Sequence, residues 1–207
     1  MFVPNSASVI LVHGAGSGPW VFDSWTDTFG GSELEAVDLQ VGLQIESASM
    51  AAYAKRVAEV VAARRGPVYV CGWSMGGLVA LMAATQAPPQ ALAVIEPSPP
   101  AEVQGTHPEV RLRSGAFDPE EVYGRFPGVR TRHESLLARL ERKKGISVPE
   151  VPCPLLVVHG AQFPEDRGHA IANQYGADEL SFPDLNHWQL VSTKKVRKAI
   201  RDWFSAV

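Results

Sequence analysis

Apolar residues fall into short unbroken runs that alternate with stretches of helical spacing. Residues 8–12 (SVILV), 67–71 (PVYVC), 91–95 (ALAVI) and 154–158 (PLLVV) have no polar face, which is how strands buried on both sides read. Residues 34–39 (LEAVDL) and 179–182 are weaker strand signals. Residues 49–64 carry Met50, Tyr53, Val57, Val60 and Val61 at helical spacing, and Gly66-Pro67 stops them. Residues 75–86 predict a small-residue helix ended by Ala87-Pro88-Pro89. Another helix closes over 171–175, and 194–204 reads as a terminal amphipathic helix. This alternation predicts an α/β fold: a mostly parallel sheet of about six strands with helices on both faces. Strand order is not legible at this stage.

Between Pro97 and Pro152 the alternation breaks. The stretch is rich in Pro, Gly and charge, with one clear helix near 131–143. It reads as a short lid or cap insertion, about 97–152, over the strand ends of a single domain spanning 1–207.

Chemistry concentrates where strands end. Ser74 stands between the run at 68–71 and the helix beginning near Met75, in Gly72-Trp73-Ser74-Met75-Gly76 with Gly77 following. A serine hydroxyl exposed on a sharp strand-to-helix turn needs tiny neighbours two residues before and after it. The Met75 N–H then points toward an oxyanion forming at Ser74. The alternative, a helix-capping serine, leaves the glycines unexplained. After the first strand comes His13-Gly14-Ala15-Gly16-Ser17-Gly18-Pro19-Trp20. Its glycines let backbone run close to Ser74, and the Ala15 N–H is the natural second oxyanion donor. A phosphate loop is excluded: GKS or GKT is missing, and Val21 stands where GxGxxG needs its third glycine. His13 reads as a structural residue orienting this loop.

A serine nucleophile needs a base, and the order Ser, acid, His puts it late in the chain. His187 fits, after the last strand and before Trp188 and the final helix. His159 reads as a packed or backbone-bonded strand end, His169 as an exposed helix start, and His107 and His133 fall in the insertion.

These motifs, Val12-His13-Gly14-Ala15 with Trp20, Gly72-Trp73-Ser74-Met75-Gly76-Gly77 and Asn186-His187-Trp188, resemble the α/β-hydrolase superfamily over nearly the whole chain. The likeness is to small esterase-like members with an HGAxxGxW loop and a GxSxGG elbow. It implies a nucleophile at Ser74, a base at His187 and oxyanion donors at Ala15 and Met75. The family usually places its acid in a pattern like HGxxD, but here Phe163 occupies that aspartate position. Two acids stay open: Asp166, three residues on, and Glu96, which ends the fourth strand. Certain haloalkane dehalogenases of the superfamily carry a glutamate at that strand end. A carboxylate leaving an apolar strand needs a partner, and an imidazolium at His187 would be one, so Glu96 is preferred.

The pocket is expected to be walled by Trp20, Phe22, Trp73 and Met75, by Phe117, Tyr123 and Phe126 of the insertion, and by Phe163 and Trp188. That suits a small carboxylic ester cleaved through an acyl-enzyme. C–C bond hydrolysis, lactone opening, acyl transfer and hydroxynitrile cleavage are open on the same triad. So is a non-catalytic small-molecule-binding protein with a degenerate triad.

Composition mainly removes other classes. A net charge of −3 gives no reason to expect nucleic acid or an anionic membrane. The basic run at 139–144 reads as a solvated helix end. No HExxH, CxxC or carboxylate cluster suggests a metal, and no organic cofactor is expected. Cys71 and Cys153 read as free thiols, and no apolar run approaches a membrane span. Residues 1–5 lack a basic, apolar leader, so the expectation is a cytoplasmic protein. Nothing in the sequence fixes its oligomeric state.

Overall fold

The apolar runs become buried strands because each presents alternate residues to two helical layers. The computed structural model describes residues 7–125 and 129–207. From the N-terminal side come β1 (Ser8–Val12), a 3-10 segment Pro19–Trp25, β2 (Glu33–Val37), α1 (Met50–Ala62), β3 (Val68–Trp73), α2 (Met75–Ala84) and β4 (Ala91–Ile95). The stretch that the sequence marked as an insertion supplies α3 (Ala101–Gln104), β5 (Ala116–Phe117), α4 (Pro119–Tyr123), β6 (Glu134–Ser135) and α5 (Leu136–Lys144). Then follow β7 (Leu155–Gly160), α6 (Ala170–Tyr175), β8 (Asp178–Phe182), α7 (His187–Ser192) and α8 (Lys194–Phe204).

The main sheet has six strands in the order β2-β1-β3-β4-β7-β8, and every neighbouring pair is parallel. The chain moves outward from β1 to β2, then returns to β3 on the other side of β1. Ligand sites of open α/β sheets lie at the carboxyl ends of strands beside such a reversal. Ile10, Val12, Val70, Leu92, Val94 and Val157 face one layer with α1, α2 and α6. Val9, Leu11, Tyr69, Cys71, Ala93, Ile95 and Val158 face the other, with Trp25, α7 and α8. Burial of these side chains, about 1.5–3 kcal/mol each, is what holds the strand ends in register.

The insertion departs from expectation in detail. Its helix begins at Leu136, because Ser135 caps it: the Ser135 Oγ accepts from the Ala138 N–H at 3.1 Å. Before it, β5 and β6 form a two-residue antiparallel pair that no periodicity announces. Helix α7 was also not expected. It carries a capping box between Asn186 and Gln189 that was legible in the sequence. Both cysteines are free, Cys71 buried and Cys153 half-buried. Among the described residues no helix is long and apolar enough to cross a membrane.

Candidate active site

The turn from β3 into α2 is tight enough to exclude side chains on both sides of Ser74. A Cβ on Gly72 would lie 2.4 Å from the Gly76 carbonyl oxygen, and one on Gly76 would lie 2.2 Å from the Val12 oxygen. This crowding seats the elbow against the end of β1. Ser74 takes φ 58° and ψ −122°, a conformation that costs a non-glycine residue about 1–3 kcal/mol. Its backbone is tied down in compensation: the Ser74 N–H donates to Ile95, and the Ser74 carbonyl accepts from Gly77 and Ser98. Met75, first residue of α2, has no helical acceptor for its N–H.

Glu96 leaves β4 at φ 37°. Among the described residues it and Ser74 are the only non-glycines with positive φ. Its side chain is fully buried. Glu96 Oε2 accepts from His187 Nδ1 at 2.5 Å, and Oε1 accepts from the Gly160 N–H at 2.8 Å. A proton on Nδ1 leaves Nε2 as the basic nitrogen. Burial lowers the His187 pKa; the hydrogen bond and charge of Glu96 oppose that, and Arg167 adds to the lowering. The residue is positioned by its backbone too. Its N–H donates to Gln162 Oε1 at 2.8 Å, and Trp73 Nε1 donates to its carbonyl at 3.1 Å. Of the two candidate acids, Glu96 therefore meets His187. Asp166 is exposed, in the single helical turn Glu165–His169.

The loop after β1 passes so close to the elbow that a Cβ on Gly14 would lie 3.0 Å from Ser74 Cβ. His13 orients it as expected: Nδ1 donates to the Gly14 carbonyl and Nε2 accepts from the Leu39 N–H. The insertion grips the same loop. Fully buried Glu134 accepts from the Gly16 N–H at 3.1 Å, from the Tyr53 hydroxyl at 2.7 Å and from the Ser135 N–H at 2.8 Å. Arg132 Nε donates to the Ser17 carbonyl at 2.9 Å, while its guanidinium pairs with Asp38.

Ser74 and His187 line one cavity of about 260 Å³, with Ala15 at its wall. Trp73, Phe163, Trp188 and Tyr123 line it as expected. Trp20 does not, which corrects the expectation: its ring folds over Gly18, where a Cβ would lie 2.2 Å away, and sits against Arg130 and Arg132. Phe22 belongs to the core beside Trp25, the Met75 side chain is buried under α2, and Phe117 packs on Tyr123. Phe126 lies outside the described residues. Arg142 and Arg167, which pattern reading missed, also line the cavity.

His159, His169 and Glu179 form a second polar cluster that could be read as a metal centre. His159 Nε2 and His169 Nδ1 stand 2.5 and 2.6 Å from Glu179 Oε1. Two ligands of one zinc ion stand about 3.3 Å apart, given metal–ligand distances of about 2.0–2.1 Å. The His159 contact is a hydrogen bond, and the His159 ring is buried against His169, as the packed strand end that the sequence suggested.

A family model described as the alpha/beta hydrolase family matches residues 9–199. The chain belongs to the alpha/beta hydrolase family. Among solved structures, this alpha/beta hydrolase resembles a monoacylglycerol lipase from Paleococcus ferrophilus (TM-score 0.71, 14% identity, covering 100% of this chain and 96% of that one). It resembles a thermophilic esterase from Thermogutta terrifontis (TM-score 0.70, 18% identity, 99% and 91%). A third likeness is polyneuridine aldehyde esterase (TM-score 0.69, 16% identity, 97% and 99%). At such identities the likeness carries the fold. No curated protein matches the sequence of this alpha/beta hydrolase.

Proposed function

We propose that the protein is a serine hydrolase that cleaves a small carboxylic ester through an acyl-enzyme. The observation that carries the reading is the hydrogen bond from His187 to fully buried Glu96, 2.5 Å long, in a cavity that Ser74 also lines. In this reading Ser74 Oγ attacks the ester carbonyl carbon as His187 Nε2 takes its proton. The N–H groups of Ala15 and Met75 hold the oxyanion. Collapse breaks the ester C–O bond, and the imidazolium returns its proton to the leaving alcohol. Water then attacks the acyl-enzyme by the same steps, releasing the acid and restoring Ser74. Glu96 keeps the imidazole oriented and stabilises its charged form. The pairing of Glu96 with His187 supports turnover over mere binding. The lipases and esterases among the structural neighbours favour ester chemistry.

The test is hydrolysis of p-nitrophenyl acetate and butyrate. Wild-type turnover should fall by about 10³-fold or more in Ser74→Ala, and a fluorophosphonate should label Ser74 alone. A wild type no faster than Ser74→Ala sinks the esterase assignment and sends the search to diketones and cyanohydrins.

A further inference from the structure

Among the described residues the cavity wall carries two cations and no acidic residue. Arg142 lies in the last turn of α5, and Arg167 in the turn Glu165–His169. Among the described residues neither guanidinium is ion-paired, whereas Arg132 is held by Asp38, Arg197 by Asp27 and Arg64 by Glu33. Arg142 Nη1 reaches Ser98 Oγ at 3.2 Å, but its Nε and Nη2 are buried with no acceptor among the described residues. Arg167 lies over the Phe163 ring, 4.2 Å from the centroid, which orients the group without neutralising it. Burying a cation without an anion is costly, and a guanidinium fork fits a carboxylate. An acceptor that the described residues do not offer is one a ligand can bring.

We infer that Arg142 and Arg167 form an anion subsite, and that the substrate is a small ester bearing a carboxylate remote from its scissile carbonyl. This rests on the serine-hydrolase reading. Trp73, Phe163 and Trp188 take the carbon chain between the two ends. A cavity of about 260 Å³ admits a short chain only, being smaller than the roughly 300–1,000 Å³ pockets of drug-sized ligands. The subsite also bears on the chemistry. Arg167 opposes protonation of His187. A substrate carboxylate beside Arg167 offsets that field while the imidazolium forms, so an anionic substrate gains in kcat as well as in KM.

The experiment compares esters matched in length and corrected for buffer hydrolysis. One pair is p-nitrophenyl hemiglutarate and p-nitrophenyl valerate, with the charge on the acyl side. The other is 4-carboxyphenyl butyrate and phenyl butyrate, with the charge on the leaving group. In one pair kcat/KM should favour the anion by about 10–100-fold, the worth of a hydrogen bond to a charged group. That ratio should fall about tenfold or more in Arg142→Gln and in Arg167→Gln, each checked for an intact melting transition. Equal rates within both pairs overturn the subsite and leave the esterase reading standing. A second arm titrates Ser74→Ala with glutarate, glutaramide and inorganic phosphate by calorimetry. Glutarate binding that weakens tenfold with Arg167→Gln upholds the subsite even if no ester is hydrolysed, which would sink only the hydrolase reading. Failure of glutarate to bind, or binding of phosphate alone, overturns the carboxylate subsite.

Discussion

Glu96 places a carboxyl group where charges are expensive. It combines a left-handed backbone with complete burial, and only its two hydrogen bonds, from Gly160 and His187, make that tenable. A carboxylate so placed gains most when the imidazole becomes charged. Glu96→Gln should therefore lower kcat on p-nitrophenyl butyrate by about 10²–10⁴-fold. Asp166→Asn, at an exposed position, should change it by less than about threefold. Equal effects from the two would remove Glu96 from the proposed triad. The same surroundings set a pH profile. His187 is enclosed by Glu96, Arg167, Trp73, Phe163 and Gln162. Its net shift is downward, through burial and Arg167 against the pull of Glu96. The proposed mechanism needs His187 neutral, so kcat/KM should be flat at neutral pH and fall with acid through a midpoint below about 6.5. Removing the Arg167 cation favours the imidazolium, so Arg167→Gln should move that midpoint up. A wild-type midpoint above 6.5, or a downward move in the variant, would contradict this account.

At the scale of elements, the insertion holds the loop beside Ser74 through Glu134 and Arg132. Glu134→Gln preserves the shape but replaces one acceptor oxygen with an NH₂ group. That group then faces a donor, either the Gly16 N–H or the Tyr53 hydroxyl and Ser135 N–H. The mismatch should cost about 1–3 kcal/mol of stability. In the proposed mechanism a loosened loop misplaces the Ala15 donor, so kcat should drop about tenfold with little change in KM. A melting curve and a Michaelis–Menten analysis of the one variant check both, and an unchanged kcat would detach Glu134 from the oxyanion loop. Glu134 also marks where sequence reading stops. The elbow and the strands of the main sheet were legible because their signals are local: glycines two residues either side of Ser74, and unbroken apolar runs. Glu134 meets Tyr53 and Gly16 across 81 and 118 residues, and no periodicity encodes such a meeting. β5 and β6 have two residues each, too few for a period. Trp20 was misplaced because an aromatic beside a glycine loop reads the same whether it faces the cavity or its own backbone. Glu96 lay between these cases. Its position at a strand end was readable, but its partner was not.

For the whole molecule, the six-stranded sheet separates chemistry from support. The cavity opens at the carboxyl ends of the strands, while α8 seals one face with Val196, Ile200 and Phe204, one helical turn apart and fully buried. The Phe204 ring lies 4.9 Å from Tyr69 of β3, the strand that ends in the elbow. No residue of α8 lines the cavity. Ile200→Ala should therefore act on stability alone. The lost side chain and the void it leaves cost about 2–5 kcal/mol, and at about 2–4 °C per kcal/mol for a chain of this size the melting temperature should fall by about 5–15 °C. At 25 °C, well below that transition, kcat and KM for p-nitrophenyl butyrate should match the wild type. The comparison reads how rigidly the sheet isolates its two faces. A folded Ile200→Ala protein with depressed kcat would mean that packing beneath Tyr69 reaches Ser74 along β3. The elbow's strained φ would then depend on the C-terminal helix as well as on its own hydrogen bonds to Ile95, Gly77 and Ser98.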